Sequence, residues 1–189
     1  MLAAYRTINE AFWAAYRRGE ITQPALEVER FRRLLAAMGA REGRARTLSR
    51  DFLAHLSSRG DRLPGCRRAL VTLRRRYALA VVTNGIDRVQ HSRLAAAGLR
   101  PFFDTVVTSE GCGFAKPDPR ILQRALHELG VEARAALYVG DDVAVDGAAA
   151  ARAGVAFAWV DRGDALPRGW RRPRLRVTHL GELVSLLAL

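Results

Sequence analysis

The sequence predicts an α/β protein, a doubly wound parallel sheet preceded by a helical segment, and three observations predict it. Short apolar runs at 78–82 and 135–139 alternate with amphipathic helical patterns from about residue 62 onward. Each run stops at a turn-forming cluster, Thr83-Asn84-Gly85 or Gly140-Asp141-Asp142. Residues 1–61 carry helix-period patterns and no strand-like run.

The elements follow in order. Ile8, Phe12, Ala15 and Tyr16 share one helical face, and Gly19 stands where a C-cap belongs. Thr22 is the N-cap of a second helix with Pro24 in its first turn; Phe31, Leu34, Leu35 and Met38 continue its apolar stripe before Gly39. Pro64-Gly65 opens a helix reaching Leu73, and the 78–82 strand follows. A helix over 87–97 ends at Gly98, and a weaker strand covers 105–107. The next helix runs from about Pro117 to Leu129, ahead of the 135–139 strand. A helix to Ala153, a strand over 155–160, a short strand at 175–177 and a helix from about Leu180 complete the chain. The division falls at 1–61 and 62–189.

Composition narrows the function classes. At 189 residues with 49% hydrophobic and 26% charged residues, the chain has the balance of a globular domain. The formal charge of +12 invites a nucleic-acid reading. Against it, 30 of the 31 basic residues are arginines spread along the whole chain, and Lys116 is the one lysine. The runs Arg74-Arg75-Arg76 and Arg171-Arg172 with Arg174 read as solvated faces. No nucleic acid is expected as a partner. Cys66 and Cys112 form no metal-ligand spacing, and neither a membrane span nor a leader peptide is visible, so the expectation is a cytoplasmic protein.

In an open parallel sheet, ligands bind beyond the carboxyl ends of the strands. Thr83, Asn84 and Gly85 follow the first strand run; Gly140, Asp141 and Asp142 follow the second, with Asp146 four residues on; Lys116-Pro117-Asp118-Pro119 lies between. A hydroxyl and backbone N–H groups at a helix start suit phosphate oxygens, and an ammonium adds a point charge. Adjacent carboxylates suit Mg²⁺, which bridges to phosphate. Taken singly, each cluster reads as a turn or a helix cap. The constellation in this order is the specific signal. An arginine fork does not replace the compact ammonium of Lys116 in a tight site.

These motifs resemble the haloacid dehalogenase-like (HAD) superfamily. The stretch ending Val82-Thr83-Asn84-Gly85 is similar to its second motif, Lys116 in Ala115-Lys116-Pro117-Asp118 to its third, and Tyr138-Val139-Gly140-Asp141-Asp142 with Asp146 to its fourth. The N-terminal Tyr5, Ile8-Asn9, Phe12-Trp13 and Gly19-Glu20-Ile21-Thr22 resemble the helical cap of the pyrimidine 5′-nucleotidase branch. The resemblance implies a Rossmann-like core and a phosphatase acting on a small phosphorylated substrate, a nucleoside monophosphate among the candidates. Catalysis would pass through an aspartyl-phosphate. It implies phosphate binding by Thr83, Asn84, Gly85 and Lys116, with Thr83 and Lys116 also catalytic, and a Mg²⁺ site of Asp141 supported by Asp142 and Asp146.

One family feature is missing: the first motif, an Asp-x-Asp after a strand that is central to the family's sheet. Neither Asp51 nor Asp61 follows an apolar strand or sits in such a pair. Loss of that strand leaves sheet edges without partners. The expectation is a chain whose start lies upstream of Met1, or a non-catalytic relative, and no turnover by the 189 residues alone. An in-frame apolar strand ending in Asp-x-Asp in the upstream DNA supports the first, and a stop codon there refutes it. Rival readings are a phosphoglycolate- or sugar-phosphate-type phosphatase, a dehalogenase, or a non-catalytic phosphate-binding or interaction module. Trp13 and Tyr16 read as packing residues, with nucleobase stacking the sharper alternative. The four histidines read as surface or capping residues, and Arg88 as an exposed helix residue with a phosphate contact the sharper alternative; Trp159, Arg162 and Trp170 stand near the last strand, with flanking the site a weaker reading.

Overall fold

The computed structural model describes residues 1–163, 166, 169, 173 and 175–187. Trp170, Arg171, Arg172 and Arg174, read above from sequence, lie outside the described residues. The chain divides into two compact units, Met1–Arg59 and Gly60–Leu189.

The first unit is helical: α1 (Leu2–Arg17), α2 (Gln23–Ala37) and α3 (Ala45–Ser58). Thr22 caps α2, its hydroxyl accepting the Ala25 N–H, and Pro24 stands in the first turn, where a missing N–H costs nothing. Phe31, Leu34 and Ala45 form the core, with Tyr5, Ile8, Val28 and Phe52 packed on it. Tyr5, Phe31 and Phe52 stack mutually at ring separations of 5.3–5.9 Å. Trp13 meets Tyr16 edge-on at 5.8 Å within α1.

The second unit alternates helices and strands: α4 (Cys66–Leu73), β1 (Ala80–Thr83), α5 (Asp87–Ala96), β2 (Thr105–Thr108), α6 (Ser109–Cys112), α7 (Arg120–Leu129), β3 (Leu137–Gly140), α8 (Ala148–Ala153), β4 (Ala156–Val160), β5 (Leu175–Val177) and α9 (Leu180–Leu186). Every strand pairing is parallel. The expected single sheet is present as two: β1 pairs β2, and β3-β4-β5 form the other. Among the described residues no strand joins β1 to β3.

Two expected helices differ in detail. The helix expected from Pro117 begins at Arg120, because Asp118 Oδ1 takes the Arg120 N–H at 2.9 Å and holds residues 117–119 as its lead-in. Ahead of α8 stands a π-helical turn, Val143–Gly147, where the Asp142 carbonyl accepts from Val145, Asp146 and Gly147. Such wide turns recur at functional sites. The main core joins Val107 of β2 to Ile121, Leu122 and Ala125 of α7 and Ala149 and Ala150 of α8. A second core joins Ala158, Val177 and Leu183. Arg74, Arg75 and Arg76 are exposed, and Arg74 forms a two-pronged surface pair with Asp104 at 2.7 and 2.8 Å; Asp104 also accepts the Leu79 N–H at 2.9 Å. That backbone bond first, then Arg74, holds the Asp104 carboxyl below the usual carboxylate range.

Candidate active site

Lys116 is the centre of the site. It is 9% exposed, a rare burial for an ammonium, so each of its protons needs a partner. The Nζ lies 2.8 Å from Asp146 Oδ1, 2.9 Å from the Tyr138 hydroxyl and 3.1 Å from the Val82 carbonyl. Those three partners come from the helical turn after β3, from β3 and from β1. One side chain therefore ties together the carboxyl ends of two strands that do not pair.

The loop carrying Lys116 is locked to the turn after β1. The Lys116 N–H donates to Asn84 Oδ1 at 2.7 Å, and Asn84 Nδ2 donates to the Lys116 carbonyl at 2.9 Å. Thr83 is thus flanked on either side, by Val82 and Asn84, by residues bonded to Lys116. Its hydroxyl has no hydrogen-bond partner among the described residues. The Gly85 N–H donates to Ser109 Oγ at 3.0 Å. Asn84 and Gly85 therefore spend these groups on building the turn, and Thr83 is left with a free hydroxyl.

Asp146 is 5% exposed and bound from several directions. Besides Lys116, it accepts the Asp142 N–H at 3.2 Å and the Tyr138 hydroxyl at 3.3 Å. The strand end beneath it must be glycine: a Cβ on Gly140 would stand 2.6 Å from Asp146 Cγ. Burial first, and then the nearby Asp146 and Asp141 charges, push the Tyr138 hydroxyl far above its ordinary titration range, so it stays neutral.

Asp141 and Asp142 point elsewhere. Asp141 is exposed and meets Arg162 across 3.3 Å; its carbonyl accepts the Trp159 indole N–H at 3.1 Å. Asp142 caps the π-turn, accepting the Val145 N–H at 3.0 Å. Among the described residues, no three His, Cys, Asp or Glu side chains group to hold a metal. Of the two carboxylates expected to support Asp141, Asp146 pairs with Lys116 and Asp142 caps the helix start. Asp141 is an exposed carboxylate at a strand end whose partner, Arg162, is itself about half exposed. Mg²⁺ takes one or two carboxylates and fills the rest of its octahedron with water and substrate phosphate. The oxygen donors present are compatible with that requirement.

Sequence reasoning passed over Tyr138 and Ser109. Tyr138 carried a signal, as the polar-tipped residue in an otherwise apolar strand. Ser109 carried none, because its role depends on β1 and β2 lying side by side. His179 does cap α9, its Nδ1 accepting the Glu182 N–H at 3.3 Å. No helix among the described residues is long and apolar enough to cross a membrane.

A buried lysine ammonium, a free threonine hydroxyl and an exposed carboxylate thus stand at the carboxyl ends of parallel strands, where α/β folds bind ligands. Residues 32–160 match the family model for haloacid dehalogenase-like hydrolases, and the chain belongs to that family. It is 31% identical over 184 residues to pyrimidine 5′-nucleotidase YjjG of Escherichia coli (strain K12), covering 97% of this chain and 80% of that one. It is 37% identical over 185 residues to phosphoserine phosphatase of Thermus thermophilus, covering 92% and 72%. Among solved structures, magnesium-bound HAD-hydrolase YfnB of Bacillus subtilis superposes with a TM-score of 0.87 at 27% identity, covering all of this chain and 83% of that one. A dehalogenase structure at 23% identity superposes with a TM-score of 0.79 and shares the fold.

Proposed function

We propose that the α/β unit handles phosphate and Mg²⁺ for a phosphohydrolase whose substrate is a small phosphorylated metabolite. The observation that supports this most is the Lys116 ammonium, buried at the carboxyl ends of β1 and β3 with Asp146, Tyr138 and Val82 around it. An ammonium fixed in low dielectric offsets phosphate charge without reorganising. Asp146 and Tyr138 fix the direction in which Lys116 points. The Thr83 hydroxyl donates to a phosphate oxygen, and Asp141 holds the cation. When bound, Mg²⁺ supplies Lewis-acid neutralisation of the phosphate oxygens.

The relatives supply the substrate candidates. A nucleoside monophosphate comes first, because the nucleotidase match spans 97% of this chain. A phosphorylated amino acid is second, supported by the higher identity to the phosphoserine phosphatase. Free Cys66 and Cys112 suit a reducing cytoplasm.

Calorimetric titration with inorganic phosphate tests the reading. Phosphate should bind, and bind more tightly with Mg²⁺ present. Thr83→Val removes a hydrogen bond to a charged ligand, worth about 1.5–3 kcal/mol, and should weaken binding at least about tenfold. Asp141→Asn should abolish the Mg²⁺ effect. Absence of phosphate binding, or indifference to both substitutions, contradicts it.

A further inference from the structure

Three carboxylates follow β3 closely, those of Asp141, Asp142 and Asp146. Neighbouring carboxylates repel unless each has a counter-charge. Asp146 has the buried Lys116 ammonium, and Asp142 has the Val145 N–H at the helix start. Asp141 has Arg162, and that pair differs in kind. The contact, Nε to Oδ2 at 3.3 Å, is longer than the about 2.7–2.9 Å of a charge-assisted hydrogen bond, and both side chains are about half exposed. A solvent-facing pair with so long a contact holds weakly.

The fold nevertheless brings Arg162 to Asp141 by a fixed route. β4 lies beside β3 with Trp159 opposite Gly140, so the residues after β4 emerge next to those after β3. Trp159 is buried, and its indole N–H, given to the Asp141 carbonyl at 3.1 Å, pins the backbone there. The buried Asp161 carboxylate takes the Gly163 N–H at 2.8 Å and Arg176 at 2.5 Å, while the Asp161 N–H donates to the Val177 carbonyl at 2.8 Å. Gly163, at φ +90°, supplies the left-handed residue this turn requires. Arg162 stands between those two residues. The backbone on both sides of the pair is therefore anchored, whereas its two side chains lie half in solvent.

We infer that Arg162 is a built-in competitor of Mg²⁺ for the Asp141 carboxylate and so sets the affinity of the cation site. Mg²⁺ is a hard cation that takes carboxylate oxygens directly, so it claims the same Oδ atoms as the guanidinium. Cation binding is then an exchange: the Arg162 side chain rotates off Asp141, and neither backbone moves, because neither is held by the pair. The inference rests on the proposed role of Asp141 as cation ligand and adds the residue that opposes the cation there.

Mn²⁺ binding to the 189-residue chain, read from the paramagnetic resonance signal of free Mn²⁺, tests this. Arg162→Gln should bind Mn²⁺ about two- to fivefold more tightly, the gain expected when an exposed ion pair no longer competes. Arg134→Gln removes the same charge from the exposed turn that leads into β3, at the other end of that strand from Asp141, and should change nothing. A Mg²⁺ titration followed on the arginine Nε–H resonances reads the exchange directly. The Arg162 signal, assigned by its loss in Arg162→Gln, should shift with the midpoint of Mg²⁺ binding. Equal gains in the two variants, unchanged affinity in Arg162→Gln, or an Arg162 signal indifferent to Mg²⁺ overturns the proposal. Asp141→Asn separates it from the reading beneath it. If that variant loses Mn²⁺ while Arg162→Gln binds like the parent, only the competition falls. If parent and Asp141→Asn bind Mn²⁺ alike, the role of Asp141 falls and the competition with it.

Discussion

At the scale of single residues, Lys116 and Asp146 carry the account. The pair is buried, with side-chain exposures of 11% and 7%. Its stability value is small in principle, because desolvation offsets attraction, but removing one partner strands the other charge. Lys116→Met should therefore lower stability by roughly 3–5 kcal/mol, and Lys116→Met with Asp146→Leu should recover much of it. Urea denaturation reads both; a double variant as unstable as the single one contradicts the pairing. Tyr138 sets a pH dependence. Burial and the Asp146 charge keep it neutral in the folded chain, whereas unfolded tyrosine ionises near about 10. Stability is thus unaffected below about pH 10 and falls as the pH rises above it, because only the unfolded chain releases this proton. Tyr138→Phe should flatten that alkaline fall, and a parallel curve for the variant contradicts the assignment. Lys116 was legible in the sequence as the one lysine of an arginine-rich chain. Its bond to Tyr138 was not, since nothing in linear spacing sets 116 against 138.

At the scale of elements, the strand ends govern. Gly140 ends β3 under the Asp146 carboxylate, and a Cβ there would stand 2.7 Å from Asp146 Cβ. Gly140→Ala should push Asp146 off Lys116 and cost about 1–3 kcal/mol, a clash with buried backbone-anchored atoms rather than a flexible tip. Equal urea midpoints for variant and parent contradict that geometry. The strands were readable because buried parallel strands are continuous apolar runs. The Thr22 cap was readable because capping chemistry is local. The π-turn over Val143–Gly147 was not, because a helix pattern does not distinguish hydrogen bonding one residue wider. The partners of Asp141, Asp142 and Asp146 were not legible either, because sequence proximity says nothing of which partner each side chain takes.

At the scale of the whole molecule, family membership and α/β class were legible from the order of motifs along the chain. The division of the sheet was foreseen only as a missing strand, whose cost depends on which edges stay open. Thr83, Lys116 and Asp141 are expected to converge on one phosphate and one cation. The most direct measurement is a crystal structure with tungstate, a phosphate analogue, and Mn²⁺ in place of Mg²⁺, both located by anomalous scattering. The anion should lie about 3 Å from Thr83 Oγ1 beside Lys116, with the cation on Asp141 bridging to it. An anion bound among surface arginines, or a cation away from Asp141, would contradict it.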